Sequence, residues 1–599
     1  VRAKHKEESI RPLPESKSIE RSLKRAIAGE VRFSAADRGM YAYDASVYRV
    51  APIGIVIPKT LDDVIAGVEI CREHDVPIYG RGCGTSLAGQ CCNRGVVFDF
   101  SKYLHGVTID TSTKIAHVMP GTICDTLEKE VQERNLFWGI EPATHDHCTL
   151  GGMIGNNSCG THSVMVGKTV DNVVELDVLT YDGLRMRVGK TTEPDLRHII
   201  AAGGRRGEIY ANLLALRDRY AELIRTRFPK IPRRVSGYNL DQLLPENGFN
   251  VAGALVGTES TCAITLQGWL RLHDPPKVKT MVVLGYDTIP GAARDVPFVL
   301  TFDPIAVEFF SSKVLRNIDA HGLHFKGRQK LPEGNEFVIV EFGSQSEDEA
   351  KEKARAFEQE MRAKGTACGY KKFENKAEEE SIWEIRRHSA GTSRMGIGVG
   401  VGSPGWPNWE DAAVHPDVLG DYLADYEKLL KKYGYDGTMF GHFGQGCIHC
   451  RIDFDLRSSD GVRTFRTFME EAADLVVAYG GSLSGEHGDG QGRAELLPKM
   501  FGEELITAFR QFKAIWDPRG RMNPGVMSDP YPLDSNLREG TAYRTIDLET
   551  YFQFPEDKFS FAEATNRCFG VGKCRHIEGG TMCPSFMVTR EEKHSTRGR

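Results

Sequence analysis

Two hydrophobic patterns take turns along this chain. Short β-branched runs at 53–57, 77–79, 96–99 and 115–118 predict strands, and apolar residues at helical spacing predict a helix from Leu61 to His74. Ahead of them, residues 1–45 are charged and mildly helical, with Ile19, Leu23 and Ala26 on one stripe, and predict an arm packed on a neighbouring domain. Gly and Pro punctuate the chain up to Ile264, where a new pattern of strands and long helices begins and runs to about Gly525. Turn formers dominate 528–555. The expected organisation is a helical arm over 1–45, an α+β domain over 46–275, a second α+β domain over 276–527, a linker over 528–555 and a cysteine-bearing tail over 556–599. No internal repeat is visible.

Composition narrows the class of protein. At 599 residues the chain exceeds what one core can hold. Its net charge is −6 and its basic residues are dispersed, so it lacks the footprint of a nucleic-acid binder. No apolar run reaches the length of about eighteen residues that a spanning helix needs, and the first residues are charged where a signal peptide is apolar. The 14 cysteines stand mostly apart, unlike a secreted disulfide framework. A cytoplasmic protein is expected, or one peripheral at the inner face of a membrane, assembled as a homo-oligomer.

The chemistry concentrates in two segments. Gly441-His442-Phe443-Gly444-Gln445-Gly446-Cys447-Ile448-His449 and Ser484-Gly485-Glu486-His487-Gly488-Asp489-Gly490 hold three histidines and a glutamate among small residues. That set supplies the donors of a divalent-metal site and one spare base. Two histidines seven apart point to opposite faces of a regular strand, so Gly444 and Gly446 must bend the chain if His442 and His449 share an ion. Alone, the pair fits structural histidines equally well.

Three glycine-rich segments suggest an anion cradle. Arg81-Gly82-Cys83-Gly84-Thr85-Ser86-Leu87-Ala88-Gly89 follows a strand end and can turn successive backbone N–H groups toward a pyrophosphate. It is neither the G-x-G-x-x-G fingerprint nor a P-loop. Gly151-Gly152-Met153-Ile154-Gly155-Asn156-Asn157 and Gly257-Thr258-Glu259-Ser260-Thr261 come later.

These three segments, in this order, resemble the FAD-binding domain of the vanillyl-alcohol oxidase/p-cresol methylhydroxylase superfamily. With the paired motifs at 441–449 and 485–490 and Arg521-x-Asn523-Pro524-Gly525, the chain is similar over about 46–527 to the branch of D-lactate dehydrogenases, the glycolate oxidase flavin subunit and D-2-hydroxyglutarate dehydrogenases. The resemblance implies a two-subdomain, non-Rossmann FAD domain and a substrate (cap) domain. It implies an FAD site formed by Arg81, Gly82, Cys83, Gly84, Thr85, Ser86, Gly89, Gly151, Gly152, Gly155, Asn156, Asn157, Gly257, Glu259 and Asn523. The first loop has no histidine for a covalent link, so FAD is expected to be non-covalent, with Cys83 the less favoured attachment point.

Oxidation of a D-2-hydroxy acid needs a hydride acceptor, a base and a group to fix the carboxylate. The resemblance implies a divalent ion on His442, His449 and Glu486, zinc first and manganese or iron as alternatives, with His487 as base. It places Arg386, in Trp383-Glu384-Ile385-Arg386-Arg387, on the substrate carboxylate, and Asn523 as a positioning group. Similar enzymes acting on D-2-hydroxyglutarate carry a threonine four residues beyond that arginine and a lysine two before Asp411; here Ala390 and Trp409 stand there. A second cation for a distal carboxylate would be another arginine, Arg387 or Arg394 being nearest in sequence.

In the tail, Cys568, Cys574 and Cys583-Pro584 form C-x5-C-x8-C-P. The pattern departs from the usual C-x2-C-x2-C but resembles the opening of a ferredoxin-like domain in fused flavoproteins, which implies an iron–sulfur cluster of the 4Fe–4S type, with a fourth ligand beyond Arg599. Three unremarkable thiols or a zinc site are the other readings. The expected function is oxidation of a D-2-hydroxy acid, D-2-hydroxyglutarate ahead of D-lactate or glycolate, with electrons passing to a quinone, an electron-transfer protein or a further cluster. Rivals are an FAD-dependent transferase of the same fold and a non-catalytic electron-transfer subunit.

Overall fold

The computed structural model describes residues 16–320, 322, 326–373, 375–394, 405–546, 548–579 and 581–599. Residues 1–15 of the expected arm lie outside them.

Three sheets organise the molecule. Strands β1 (Glu30–Arg32), β2 (Gly54–Ile57), β3 (Ile78–Arg81) and β4 (Val96–Asp99) form a sheet of order β1-β2-β4-β3. The pairs β2/β4 and β3/β4 are parallel and β1 is an antiparallel edge. Every residue of β2 and β4 is buried, as parallel strands covered on both faces require. The helix Leu61–Glu73, opened by a Thr60–Asp63 capping box, packs with the helix Ser16–Ala26 on this sheet. Ile19 and Leu23 are buried as expected, but Ala26 is exposed and Ile27 completes the stripe.

The second sheet is antiparallel: β5 (Val107–Asp110), β6 (Ile115–Val118), β7 (Val173–Leu179), β8 (Arg185–Gly189) and β9 (Ile264–Arg271), in the order β5-β6-β9-β7-β8. Ile264 therefore opens the central strand of this sheet rather than a new domain's pattern. The third sheet, also antiparallel, joins β10 (Val278–Tyr286), β11 (Ala306–Ser311), β12 (Glu336–Ser344), β13 (Gly369–Lys372), β14 (Gly437–His442) and β15 (Cys447–Ile452) in the order β13-β10-β12-β11-β14-β15. Alternation along β10 serves two cores: Met281 and Val283 pack toward Ile382 and Ile385 of the helix Lys376–Arg394, while Val282 and Leu284 join the large core shared with the helices Ile289–Leu300 and Glu347–Lys364.

The chain then returns to the first domain. The helix Leu497–Trp516 packs on Gly204–Arg227, and Met522 bridges to Ile78 at the edge of the first sheet. Residues 528–546 carry no helix or strand, yet they are not a free linker: Leu533 is fully buried, its carbonyl accepts from Tyr48 Oη at 2.7 Å, and Gln491 Nε2 donates to Pro532 O at 2.8 Å. The tail also docks. Arg597 donates to Cys83 O in the first glycine loop at 2.9 Å and forms a two-point ion pair with Glu592, and Arg575 donates to Ser101 Oγ at 2.7 Å.

Candidate active site

One cavity gathers the three glycine segments. Its walls include Arg81, Gly82, Cys83, Gly84, Thr85, Ser86, Gly151, Gly152, Gly155, Asn156 and Glu259. Gly155 has no atom within 4 Å of where a Cβ would stand, so a side chain there would only fill the cavity. At Gly82 a Cβ would meet Thr149 Oγ1 at 2.1 Å, which fixes the close approach of loop and helix. The lining, rich in glycine backbone and hydroxyl donors, fits a pyrophosphate-bearing cofactor. Arg81 serves the loop itself: its guanidinium donates to Tyr43 O and Cys91 O.

Four expected residues support the cavity from behind. Gly89 (φ +88°) faces the Tyr48 ring, Asn157 (φ +56°) caps its helix and accepts from Val170 N at 2.9 Å, and Gly257 (φ +80°) lies against Asn157. Asn523 is fully engaged, donating to Gln90 O at 3.0 Å and Glu259 O at 2.8 Å and accepting from Asn93 Nδ2 at 2.8 Å. It clamps two cavity loops and has no donor left for a substrate. Gln90 and Thr149 also line the cavity and carried no sequence motif, and Ser260 joins them from the third glycine segment.

Glu259 joins this cavity to the second cluster. Its carboxylate accepts from Asp489 N at 2.7 Å and Gly490 N at 2.9 Å; burial, then the charge of Asp489, push its pKa up to about 8. The segment 486–490 is thereby tied to the cofactor loops. Asp411 holds the same segment from the other side, accepting from His487 N at 2.6 Å, Glu486 N at 3.1 Å and Ser484 Oγ at 2.7 Å.

His442 and His449 reach one point by a route other than a bent strand. They stand on the two arms of a hairpin, turned by Phe443–Gln445 and by Gly446 at φ +70°. Register pairs His442 with Cys447 and Phe440 with His449, so both imidazoles fall on one face, diagonally across the ladder. His442 Nε2 and His449 Nε2 lie 3.4 and 3.1 Å from the two carboxylate oxygens of Glu486. Among the described residues these three form the group whose donor atoms all lie within 4.8 Å of one another.

The groups behind the imidazoles set their orientation. His442 Nδ1 is 2.7 Å from Glu308 Oε1, and His449 Nδ1 is 2.8 Å from the carbonyl oxygen of Glu410. A carbonyl only accepts, so His449 Nδ1 carries the proton and Nε2 presents its lone pair to Glu486. Burial lowers His449 to about 4, keeping it neutral. Burial alone would raise Glu486, but His442 and Arg233 hold it well below the usual carboxylate range. Two imidazole ring nitrogens and an ionised carboxylate fit a small divalent ion.

His487 stacks on His449 with ring centroids 4.9 Å apart. Its Nε2 is 3.0 Å from Glu486 Oε1 and its Nδ1 3.0 Å from Glu410 Oε1. Burial works against its charge, yet Asp411 and Glu410 outweigh it and lift the pKa to about 10. Arg386 reaches the same region: it pairs with Glu308 Oε2 at 2.7 Å and lies 5.4 Å from the Phe440 ring centroid. Arg387 turns outward to Glu380, Trp409 is buried in the core, and the side chains of Ala390 and Arg394 lie outside the described residues. Sequence reasoning missed Glu308 and Arg233. Arg233 is fully buried, donating to Gln445 Oε1 at 2.6 Å and Gly160 O at 2.6 Å and pairing with Glu486 Oε2 at 3.0 Å.

The tail thiols do not converge among the described residues. Cys568 is exposed, Cys574 is buried with Arg597 N on its sulfur, and Cys583 Sγ lies 2.9 Å from Thr596 Oγ1. They supply no joint donor set, and the expected cluster finds no support in this geometry.

Residues 52–189 match an FAD-binding domain, and residues 275–527 match the C-terminal domain of FAD-linked oxidases. The chain belongs to the FAD-linked oxidase family defined by that pair. It is similar to the D-2-hydroxyglutarate dehydrogenase of Pseudomonas putida, at 31% identity over 95% of this chain and 58% of that protein, and to that of Escherichia coli K12, at 30% over 95% and 57%. The glycolate oxidase subunit GlcD of Bacillus subtilis is 26% identical over 82% of this chain and 93% of its own. The chain thus spans somewhat under three-fifths of the length of the first two relatives. Among solved structures, 4-ethylphenol oxidase from Gulosibacter chungangensis superposes with a TM-score of 0.61 over 87% of this chain and 98% of its own, at 14% identity, a likeness of fold.

Proposed function

We propose that this chain oxidises a D-2-hydroxy acid to the 2-oxo acid, with D-2-hydroxyglutarate the favoured substrate. The observation that carries the reading is the meeting of His442, His449, Glu486, His487 and Arg386 in one buried site whose 486–490 segment is anchored to the FAD-type cavity by Glu259. The names of the relatives point the same way.

FAD would lie along 80–86, 149–158 and 258–260, and a divalent ion, zinc ahead of manganese or iron, on His442 Nε2, His449 Nε2 and Glu486. Bound there, the flavin supplies a hydride acceptor and the ion a Lewis acid for the substrate hydroxyl. His487 would take the hydroxyl proton at Nε2 from its neutral form, whose own proton sits on Nδ1 facing Glu410, and the carboxylates around the ring would stabilise the imidazolium so formed. Arg386 offers its guanidinium to the substrate carboxylate, and the buried walls keep bulk water out. His487→Ala should slow flavin reduction by about a hundredfold to ten-thousandfold. Because burial pushes the Cys83 thiol up to about 11, it is a poor nucleophile, which favours non-covalent FAD. Acid precipitation should leave the yellow colour in the supernatant; colour in the pellet would overturn that part.

Anaerobic mixing with a panel of D- and L-2-hydroxy acids tests the whole reading. D-2-hydroxyglutarate should bleach the flavin and its L-enantiomer should not, and a flavin that no D-2-hydroxy acid reduces sinks the proposal. D-lactate or glycolate is the second reading, favoured by the burial of Trp409 where similar dehydrogenases carry a lysine. The electron acceptor is proposed to be a quinone or an electron-transfer protein.

A further inference from the structure

We propose that Arg451 is the second cation of the substrate site, the group that holds the distal carboxylate of a D-2-hydroxy diacid; the inference rests on the dehydrogenase reading above. Arg451 follows His449 by two residues on β15, so it stands on the same face of the hairpin, one pleat further along and opposite Thr438. Arg386 comes onto that face from the helix Lys376–Arg394 and lies over Phe440, the residue paired with His449. The two guanidiniums therefore address the same row of side chains as the proposed metal-binding imidazole.

Both arginines are more than nine-tenths buried, and each is neutralised by one carboxylate, Glu410 for Arg451 and Glu308 for Arg386. Neither spends its Nε–H: among the described residues, Arg386 Nε and Arg451 Nε are buried without a hydrogen-bond partner. Buried charged donors without acceptors are costly, and two of them on one face offer unspent hydrogen bonds to two anionic acceptors. A 2-hydroxy monoacid brings one carboxylate and a diacid brings two. Arg387, the nearest cation in sequence to Arg386, cannot serve, because it points outward to Glu380 with its side chain 40% exposed. Glu410 links Arg451 to catalysis as well, since its other oxygen faces His487 Nδ1.

The test uses the flavin-loaded chain and its Arg451→Gln and Arg451→Lys variants. Two quantities are measured: kcat/KM for D-2-hydroxyglutarate relative to D-lactate, and calorimetric binding of glutarate. In Arg451→Gln the ratio should fall about a hundredfold and glutarate binding should weaken by a similar factor; in Arg451→Lys, which keeps the charge beside Glu410 but loses the fork, both should fall about tenfold. A wild-type ratio near one, a ratio that stays within about threefold of wild type in the variants, or an equal loss for both acids overturns the assignment. If the Gln variant does not retain flavin, the Lys variant decides by the same two readings. If neither acid reduces the wild-type flavin, the dehydrogenase reading falls on its own, and glutarate binding in wild type against Arg451→Lys still decides the role of Arg451.

Discussion

Glu308 has two tasks at once. One carboxylate oxygen orients His442 and the other neutralises Arg386, so a single buried side chain sets both a proposed metal ligand and the proposed substrate clamp. Burial would raise its pKa, but His442 and Arg386 hold it down, so it stays ionised. Glu308→Gln keeps the shape and loses the charge. Equilibrium dialysis should then show divalent-metal affinity reduced by about tenfold to a hundredfold with FAD still bound, and unchanged affinity would mean that His442 does not depend on its acid. The residues with overt chemistry, His442, His449, Glu486 and His487, were legible because small neighbours and mutual spacing set them apart. Glu308 left a fainter mark, a lone carboxylate in the apolar run Ala306–Ser311. Arg233 left none, since its three partners come from distant parts of the chain. Asn523 was legible as an important residue but not as a clamp, because a side-chain amide looks the same whether it serves a ligand or two loops.

At the scale of elements, the parallel strands and the capped helix between them followed directly from their apolar runs and turn residues. The allegiance of Ile264–Arg271 did not, because alternation shows that a strand is half-buried without showing which sheet it joins. The hairpin carrying His442 and His449 misled for a related reason. Glycines at 444 and 446 fit a bend or a turn equally well, and only the strand register distinguishes them. Gly446 carries that turn at φ +70°, and a Cβ there would lie 1.8 Å from Val414 O. Gly446→Ala should therefore cost at least about 3 kcal/mol in denaturant unfolding and lose metal before FAD; wild-type stability would show that the turn can rearrange. Two strands further in, burial raises Glu336 to about 8 at the start of β12. A carboxyl whose folded pKa exceeds its unfolded value near 4.5 contributes stability in full below pH 4.5 and loses it as pH rises through 8. Glu336→Gln should thus match wild type near pH 4.5 and exceed it near pH 9 by on the order of 1–3 kcal/mol, and a difference that does not change with pH would point to packing instead.

For the whole molecule the decisive question is what holds the cofactor half against the cap sheet, since the proposed chemistry lies between them. Among the described residues three links stand out: Arg233 to Glu486, Gln445 to Ser163 O, and His162, whose Nε2 is 2.9 Å from Glu341 Oε2 on β12 and whose Nδ1 is 3.2 Å from Glu141 Oε2. Lys279 on β10 faces the same group, 3.3 Å from Glu341 Oε2 and 3.2 Å from His162 Nε2, so the cluster sets two bases against two acids. Burial disfavours the imidazolium and Lys279 repels it, but Glu141 and Glu341 prevail and raise His162 to about 9. Its unfolded value lies near 6.5, so the stabilisation is fully present below pH 6.5 and is lost as pH rises through 9. His162→Gln should accordingly destabilise the chain by roughly 1–3 kcal/mol at pH 6, and the deficit should shrink toward zero by pH 10. Denaturant unfolding at the two pH values, read beside flavin retention, separates the outcomes. A deficit equal at both would make His162 a packing residue, whereas one confined to pH 6 that also loosens flavin would make this charge the link between the two halves of the site.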